Sequence, residues 1–157
     1  MKITSRASDY ALLLLIHLAA LKNEETSSIK KVSASLNLSL RFLANITNKL
    51  SIARILVSHR GVGGGIRLSR LPHQITVREV IEAVDGPIQT MFCQNTSEAC
   101  NHEVSCSMKH FWDGLQTSIM DKLTDTTIGH LVVPGSPGGD CTPVSQGFKL
   151  ESGSSFV

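Results

Sequence analysis

Three of the chain's four cysteines, Cys93, Cys100 and Cys106, fall within the fourteen residues CQNTSEACNHEVSC. Their spacing, C-x6-C-x5-C, is neither the C-x2-C pairing of zinc ribbons nor the C-x2-C-x2-C run of bacterial ferredoxins. Thiols gathered this closely in a polar segment favour a metal or cluster site over three unrelated side chains. Three thiolates would still leave a fourth ligand to be found, within the chain or from a partner subunit. The remaining cysteine, Cys141, stands alone in a stretch rich in Gly, Ser and Pro and is expected to be a free, exposed thiol.

The elements flanking these cysteines must position them. Ahead of them, a helix is predicted from near Ser5 to Lys22. The run ALLLLIHLAAL makes it apolar on most of its circumference, so it should be buried on more than one side and often such a helix also faces a second subunit. Ile29, Val32 and Leu36 mark a short second helix, and Asn37 to Ser39 a tight turn. Ser39 can cap a third helix by accepting from a free backbone N–H. Along that helix Leu40, Leu43, Ile46 and Leu50 share one face, leaving Arg41, Asn45, Asn48 and Lys49 on the other. Two short helices joined by a tight turn, the second with a basic and amide-rich outer face, form a helix-turn-helix pattern.

The stretch ILVSHRGVGGGIRLSR then reads as two strands, Ile55–Arg60 and Ile66–Leu68, joined by a glycine-rich turn. This hairpin is a wing carrying His59, Arg60, Arg67 and Arg70, whose cations can meet phosphates or enter a minor groove. A nucleotide-binding reading of the same glycines fails. Gly61-Val62-Gly63 starts like G-x-G-x-x-G, but Ile66 takes the sixth position and no Gly-Lys-Ser/Thr follows. Thr76 and Glu79 form a capping box for one more short helix, which stops at Gly86-Pro87 and closes the unit. Beyond the cysteines, Met108, Phe111, Trp112, Leu115, Ile119 and Leu123 make a helical stripe, for which packing on a partner subunit is favoured over a core of its own.

Charge sharpens this reading. Residues 1–90 hold twelve Lys/Arg against six Asp/Glu, whereas residues 91–157 hold three against seven. Thr26 to Arg78 contains nine Lys/Arg and no carboxylate, which suits a surface that binds a polyanion by releasing condensed counterions. The apolar run after Lys2 and Arg6 superficially resembles a signal peptide but is too short to span a bilayer, is preceded by Asp9 and is interrupted by His17. A cytoplasmic location with reduced cysteines and no membrane partner is therefore expected. No paired carboxylates, Ser-His-Asp arrangement or phosphate loop emerges, so an enzyme is not expected. A small electron-transfer or cluster-carrier protein would leave the basic half without a role.

Taken together, SDYALLLLIHLA, SHRGVGGGIRLSR, ITVREVIEAVDGPI, the three-cysteine loop and HFWDGLQTSIMDKLTDTTIGHLV resemble the bacterial winged-helix regulators that include the iron-sulfur cluster assembly regulator and the nitric-oxide-sensing repressor. The resemblance covers Met1 to about Val133. It implies a mainly α fold with a small β wing: a winged helix-turn-helix domain over 1–88, a cysteine-rich cluster-binding loop over 89–107 and a long dimerisation helix region over 108–133; the tail over 134–157, rich in Gly, Ser and Pro, reads as disordered by its composition. It further implies a homodimer reading a palindromic double-stranded DNA operator, expected as a repressor, that responds to nitric oxide, iron or cluster status. An iron-sulfur cluster, 4Fe-4S or 2Fe-2S, would be held by Cys93, Cys100 and Cys106. The family's histidine ligand aligns with Lys109, which cannot serve, and the aspartate used by the nitric-oxide sensor aligns with Asp9. Asp9, from the opposite subunit, is thus the first choice for the fourth ligand and His110 the second. DNA contacts are expected from Ser39, Arg41, Asn45, Asn48 and Lys49 on the third helix and from His59, Arg60 and Arg67 on the wing. The family's glycine before the first wing strand is missing here, where Arg54 and Ile55 stand, so the wing could leave the helix at a different angle. The alternative is a cluster-free winged-helix regulator whose cysteines sense thiol oxidation or bind zinc.

Overall fold

The computed structural model describes residues 4–21, 26–59, 61, 64–90 and 106–132. Six helices and one hairpin follow one another: α1 (Arg6–Ala19), α2 (Ile29–Ser35), α3 (Leu40–Ile52), β1 (Leu56–His59), β2 (Gly65–Leu68), α4 (Val77–Asp85), α5 (Lys109–Asp125) and α6 (Ile128–Leu131), with a 3-10 turn at Pro72–Gln74. Mainly helical structure with a two-stranded wing is the fold class the sequence predicts. Cys93, Cys100, Arg60, Cys141 and the tail lie outside the described residues.

The helices begin where short polar side chains can satisfy free amides. Ser5 Oγ accepts from the amides of Ala7 and Ser8, Ser28 Oγ from Lys31, and Ser39 Oγ from Phe42 at 3.2 Å. The capping box of α4 is complete: Thr76 Oγ1 accepts from the Glu79 amide and Glu79 Oε2 accepts from the Thr76 amide, at 3.2 and 3.0 Å. Helix α4 ends at Gly86, whose φ of +88° is a backbone state that side chains resist.

The two helices of the helix-turn-helix end in the same way. After α2, Leu38 N–H bonds to Ser33 C=O and Asn37 N–H to Ala34 C=O; after α3, Ile55 N–H bonds to Leu50 C=O and Arg54 N–H to Ser51 C=O. Both are Schellman closures, with a left-handed residue just past the helix: Asn37 at φ +50° and Arg54 at φ +56°. Asparagine tolerates that conformation, whereas arginine has no local hydrogen bond to favour it. Where the family has glycine, Arg54 adopts the left-handed backbone itself.

Ala11, Leu14, Leu15, Val32, Leu43, Leu50 and Ile75 are completely buried in the main core. Helix α1 packs against α3, α4, α6 and β2, as its nearly all-round apolar character requires. Of the four leucine and isoleucine positions predicted for the inner face of α3, Leu43, Ile46 and Leu50 are buried, but Leu40 is 49% exposed. Leu40 opens the helix directly after its cap, before the chain has turned inward.

β1 and β2 pair antiparallel in the register Leu56–Leu68 to His59–Gly65. Ser27 adds a third rung by exchanging two backbone bonds with Ile66, at 3.0 and 2.8 Å. A Cβ on Gly65 would lie 2.5 Å from Ser27 C=O, so this glycine serves an approach inside the protein rather than one to a partner.

Residues beyond the cysteines return to the first unit. Val77 N–H bonds to Thr126 C=O, Ile128 N–H bonds to Ile75 C=O, and Thr76 and Thr127 form an isolated bridge. Ile128 is fully buried in the main core. Ile119, Met120 and Leu123 of α5 cover Val77, Ile81 and Ile88, so this end of α5 has a core to bury against within its own chain. Met108 and Phe111 at the other end remain 58% and 65% exposed, and α5 has no fully buried residue.

Candidate nucleic-acid interface and cysteine site

Helix α3, which packs against β1, and the hairpin carry most of the expected contact residues. Arg41, Asn45 and Asn48 are exposed and, being three and four residues apart, share the outer face of α3. None of their side chains engages another described residue. The cap Ser39 is exposed at the start of the same helix. On the wing, Arg67 Nε donates to His59 Nε2 at 3.1 Å, and its guanidinium also reaches Leu68 C=O at 3.4 Å. Imidazole and guanidinium are thus held as one unit across the two strands, with His59 exposed.

Lys49 behaves differently. Its ammonium donates to Val84 C=O at 2.6 Å, at the carboxyl end of α4. A cation there complements the helix dipole and satisfies an orphan carbonyl. Lys49 is consequently turned toward α4 rather than outward beside Arg41. Arg70 is likewise engaged, its Nη2 lying 2.8 Å from Glu79 Oε1, and Arg78 pairs with Glu82 at 3.1 Å. The cations missed in the sequence are Lys30 and Lys31, exposed on α2, and Arg54, exposed at the end of α3. All three stood within the carboxylate-free stretch, and α2 is the helix that crosses the backbone in a helix-turn-helix.

A second polar group ties α1 to α4. The Asp85 carboxylate accepts from Ser5 N–H at 2.8 Å, Ser5 Oγ at 2.5 Å and Ser8 Oγ at 2.7 Å. Partial burial works to raise the Asp85 pKa, but the Ser5 and Ser8 hydroxyls, the Ser5 amide and the charge of Lys49 together outweigh it and hold the group below its ordinary value. Glu79 is also lowered: burial opposes ionisation, and the bonds from Thr76 and Arg70 overcome that penalty.

Of the candidate metal ligands, Asp9 is exposed in the first turn of α1, and its carboxylate engages no other described residue. Cys106 is a free, half-buried thiol whose backbone carbonyl accepts from Lys109 N–H at the start of α5, at 3.1 Å. His110 is exposed on α5. Among the described residues, no three His, Cys, Asp or Glu side chains come together as a metal-binding group. Among them also, no helix is long and apolar enough to cross a membrane.

Comparison with known proteins places these features in company. The model of the Rrf2 family, described as an iron-dependent transcriptional regulator, matches residues 4–134. A helix-turn-helix transcriptional regulator from Vibrio campbellii, IscR, is 31% identical over 132 residues, covering 84% of this chain and 77% of its own. Among solved structures, CymR, the global cysteine regulator of B. subtilis, superposes with a TM-score of 0.72 at 27% identity, over 83% of this chain and 96% of that one. IscR of T. potens gives a TM-score of 0.65 at 24% identity, over 83% and 85% of the two chains, a likeness of fold.

Proposed function

This chain belongs to the Rrf2 family of transcriptional regulators and is not an enzyme, and from that premise we propose that it is a repressor whose DNA binding is controlled by an iron-sulfur cluster. The observation that carries the reading is the open face of α3, where Arg41, Asn45 and Asn48 stand unengaged beside the paired His59 and Arg67 of the wing. Asparagine can form two bonds to an adenine edge and arginine two to guanine, while the wing and the exposed Lys30 and Lys31 supply phosphate contacts. Arg60 belongs to the same proposed set. The partner is a palindromic duplex operator, each subunit of a homodimer reading one half.

The exposed Met108 and Phe111 support the homodimer. Phe111 packs edge-on against Trp112 with ring centroids 5.2 Å apart, which presents a stiff aromatic pair for a second copy to cover.

The donor set suits iron. Cys93, Cys100 and Cys106 would supply thiolates and Asp9, from the opposite subunit, a harder and weaker oxygen ligand. Asp9 has the freedom this requires, since nothing else described engages it. When bound, the cluster supplies iron whose ligation changes on oxidation or on attack by a small molecule such as nitric oxide. The protein's part is to hold Asp9 at the start of α1, so that releasing its carboxylate frees that end of the helix and changes the setting of the two reading heads. A cytoplasmic location is part of the same proposal.

Because the superposed CymR is a global cysteine regulator, a cluster-free regulator acting through its thiols is the second reading. An ultraviolet-visible spectrum with iron and sulfide analysis of protein purified without oxygen separates the two. Thiolate-to-iron bands with matched iron and sulfide support the first; a protein colourless even after reconstitution, yet still binding DNA, leaves the second.

A further inference from the structure

We infer that Asp85 and Lys49 form the joint through which the state of the cysteine site reaches the DNA-reading helix. The inference rests on the cluster-dependent reading above. Its starting point is that the first turn of α1, which carries Asp9, is tied to the end of α4 through one carboxylate. Three donors of Ser5 and Ser8 converge on a single carboxylate, at 2.5 to 2.8 Å, across 77 to 80 residues of sequence. Ser5 is also the cap of α1, and Ser8 is fully buried, so neither side chain is a loosely held surface group.

The second half of the joint lies one residue away. Val84 C=O accepts from the Lys49 ammonium at 2.6 Å, and Lys49 lies on α3, one residue after Asn48 of the reading face. A displacement of the first turn of α1 therefore pulls on Asp85, and the end of α4 pulls on Lys49. Tyr10, the residue after Asp9, meets Phe42 of α3 edge-on with centroids 5.8 Å apart, giving α1 and α3 a direct apolar contact as well.

The joint also stands where the cysteine-bearing segment begins. Asp85 is followed by Gly86 at φ +88°, and Ser5, Asp85 and residues 86–89 together line a cleft of about 360 Å³. The route from a cluster through Asp9 on α1 thus passes this carboxylate, in the subunit that supplies Asp9. A carboxylate held by several short bonds has few alternative arrangements, which is what lets a small displacement be passed on rather than absorbed. Asp85 and Lys49 are positioning residues in this scheme, since neither touches the cluster or the DNA.

The test uses the full-length protein and a duplex that the wild-type protein selects from random sequence, with affinity measured in the cluster-loaded and apo forms. Wild type should show a ratio of affinities in the usual range for coupled sites, about 5 to 150. Asp85→Asn and Lys49→Met should each bring that ratio to within about twofold of unity, whatever they do to affinity itself, and the double variant should add nothing further. Lys49→Arg, which keeps a donor and a charge, should restore coupling. If Asp85→Asn fails to fold, Ser8→Ala removes one of its three donors and should lower the ratio part of the way. Variants that shift both affinities equally, leaving the ratio at the wild-type value, overturn the inference while the functional reading stands. A wild-type ratio of one overturns both.

Discussion

Arg54→Gly should make this protein more stable, although it deletes a side chain. Arg54 occupies the left-handed position of the Schellman closure after α3, at φ +56°. Holding an L-residue there costs about 1–2 kcal/mol, and glycine would remove that cost while returning roughly 0.5–1 kcal/mol through the greater freedom of the unfolded chain. The net gain is about 0.5–1 kcal/mol. The bonds of the closure are made by backbone N–H groups of Arg54 and Ile55, and the Arg54 C=O that accepts from Ser69 Oγ at 2.5 Å is also backbone, so all of them survive the substitution. For a chain of this size the melting temperature should rise by about 1–4 °C. Arg54→Ala is the control, since it removes the same charge without relieving the backbone. Thermal unfolding followed by circular dichroism, at fixed salt and pH, should rank Gly above Ala. A glycine variant no more stable than the alanine variant would refute the assignment of strain to Arg54.

Three further outcomes are expected. Asp85 and Glu79 have folded pKa values below their ordinary 3.8 and 4.5, so their contribution is complete above those values and is lost as pH falls through the lower, folded ones. Urea midpoints should drop between about pH 5 and pH 2, and Asp85→Asn should flatten that drop; an unchanged acid limb would count against the joint at α1. Ile128→Ala should cost about 2–5 kcal/mol in urea unfolding, as for a fully buried isoleucine, and a loss below about 1 kcal/mol would mean that α6 is not part of the main core. Arg41→Ala should weaken DNA binding and reduce the magnitude of the slope of log affinity against log salt by about 0.9 if Arg41 meets a phosphate, whereas an unchanged slope with relaxed sequence preference would assign it to a base.

What could be read from the sequence was local. Ser39 as a cap, Thr76 with Glu79 as a capping box and Asn37 in the turn each act within a few residues, so spacing alone exposes them. The outward placement of Arg41, Asn45 and Asn48 on α3 was legible for the same reason. Lys49 was not, because its partner Val84 lies 35 residues away and periodicity says only which side of the helix it leaves. Arg54 could be recognised as a departure from the family pattern, but its left-handed backbone follows from the closure around it and from no preference of arginine. Gly65 of the wing makes room for Ser27, nearly forty residues earlier in the chain, a close approach that local spacing does not reveal. Leu40 was assigned inward by its spacing, which ignores that a first-turn residue has few neighbours.

The return of α6 to the core bears on how the protein is made. Val77 and Thr126 are stitched side by side by a backbone bond, and Ile128 is the plug that fills the core beneath α1. The ribosome releases α1 to α4 first, and at about 5–20 residues per second it needs on the order of several seconds to deliver the roughly forty residues between Val84 and Ile128. During that interval the nascent reading head has an open apolar hole, and the cysteines emerge before the hole is closed. A cluster, if loaded then, would meet a half-built protein. The apolar site beneath α1 is therefore filled only once α6 has been made, after the segment that carries the cysteines.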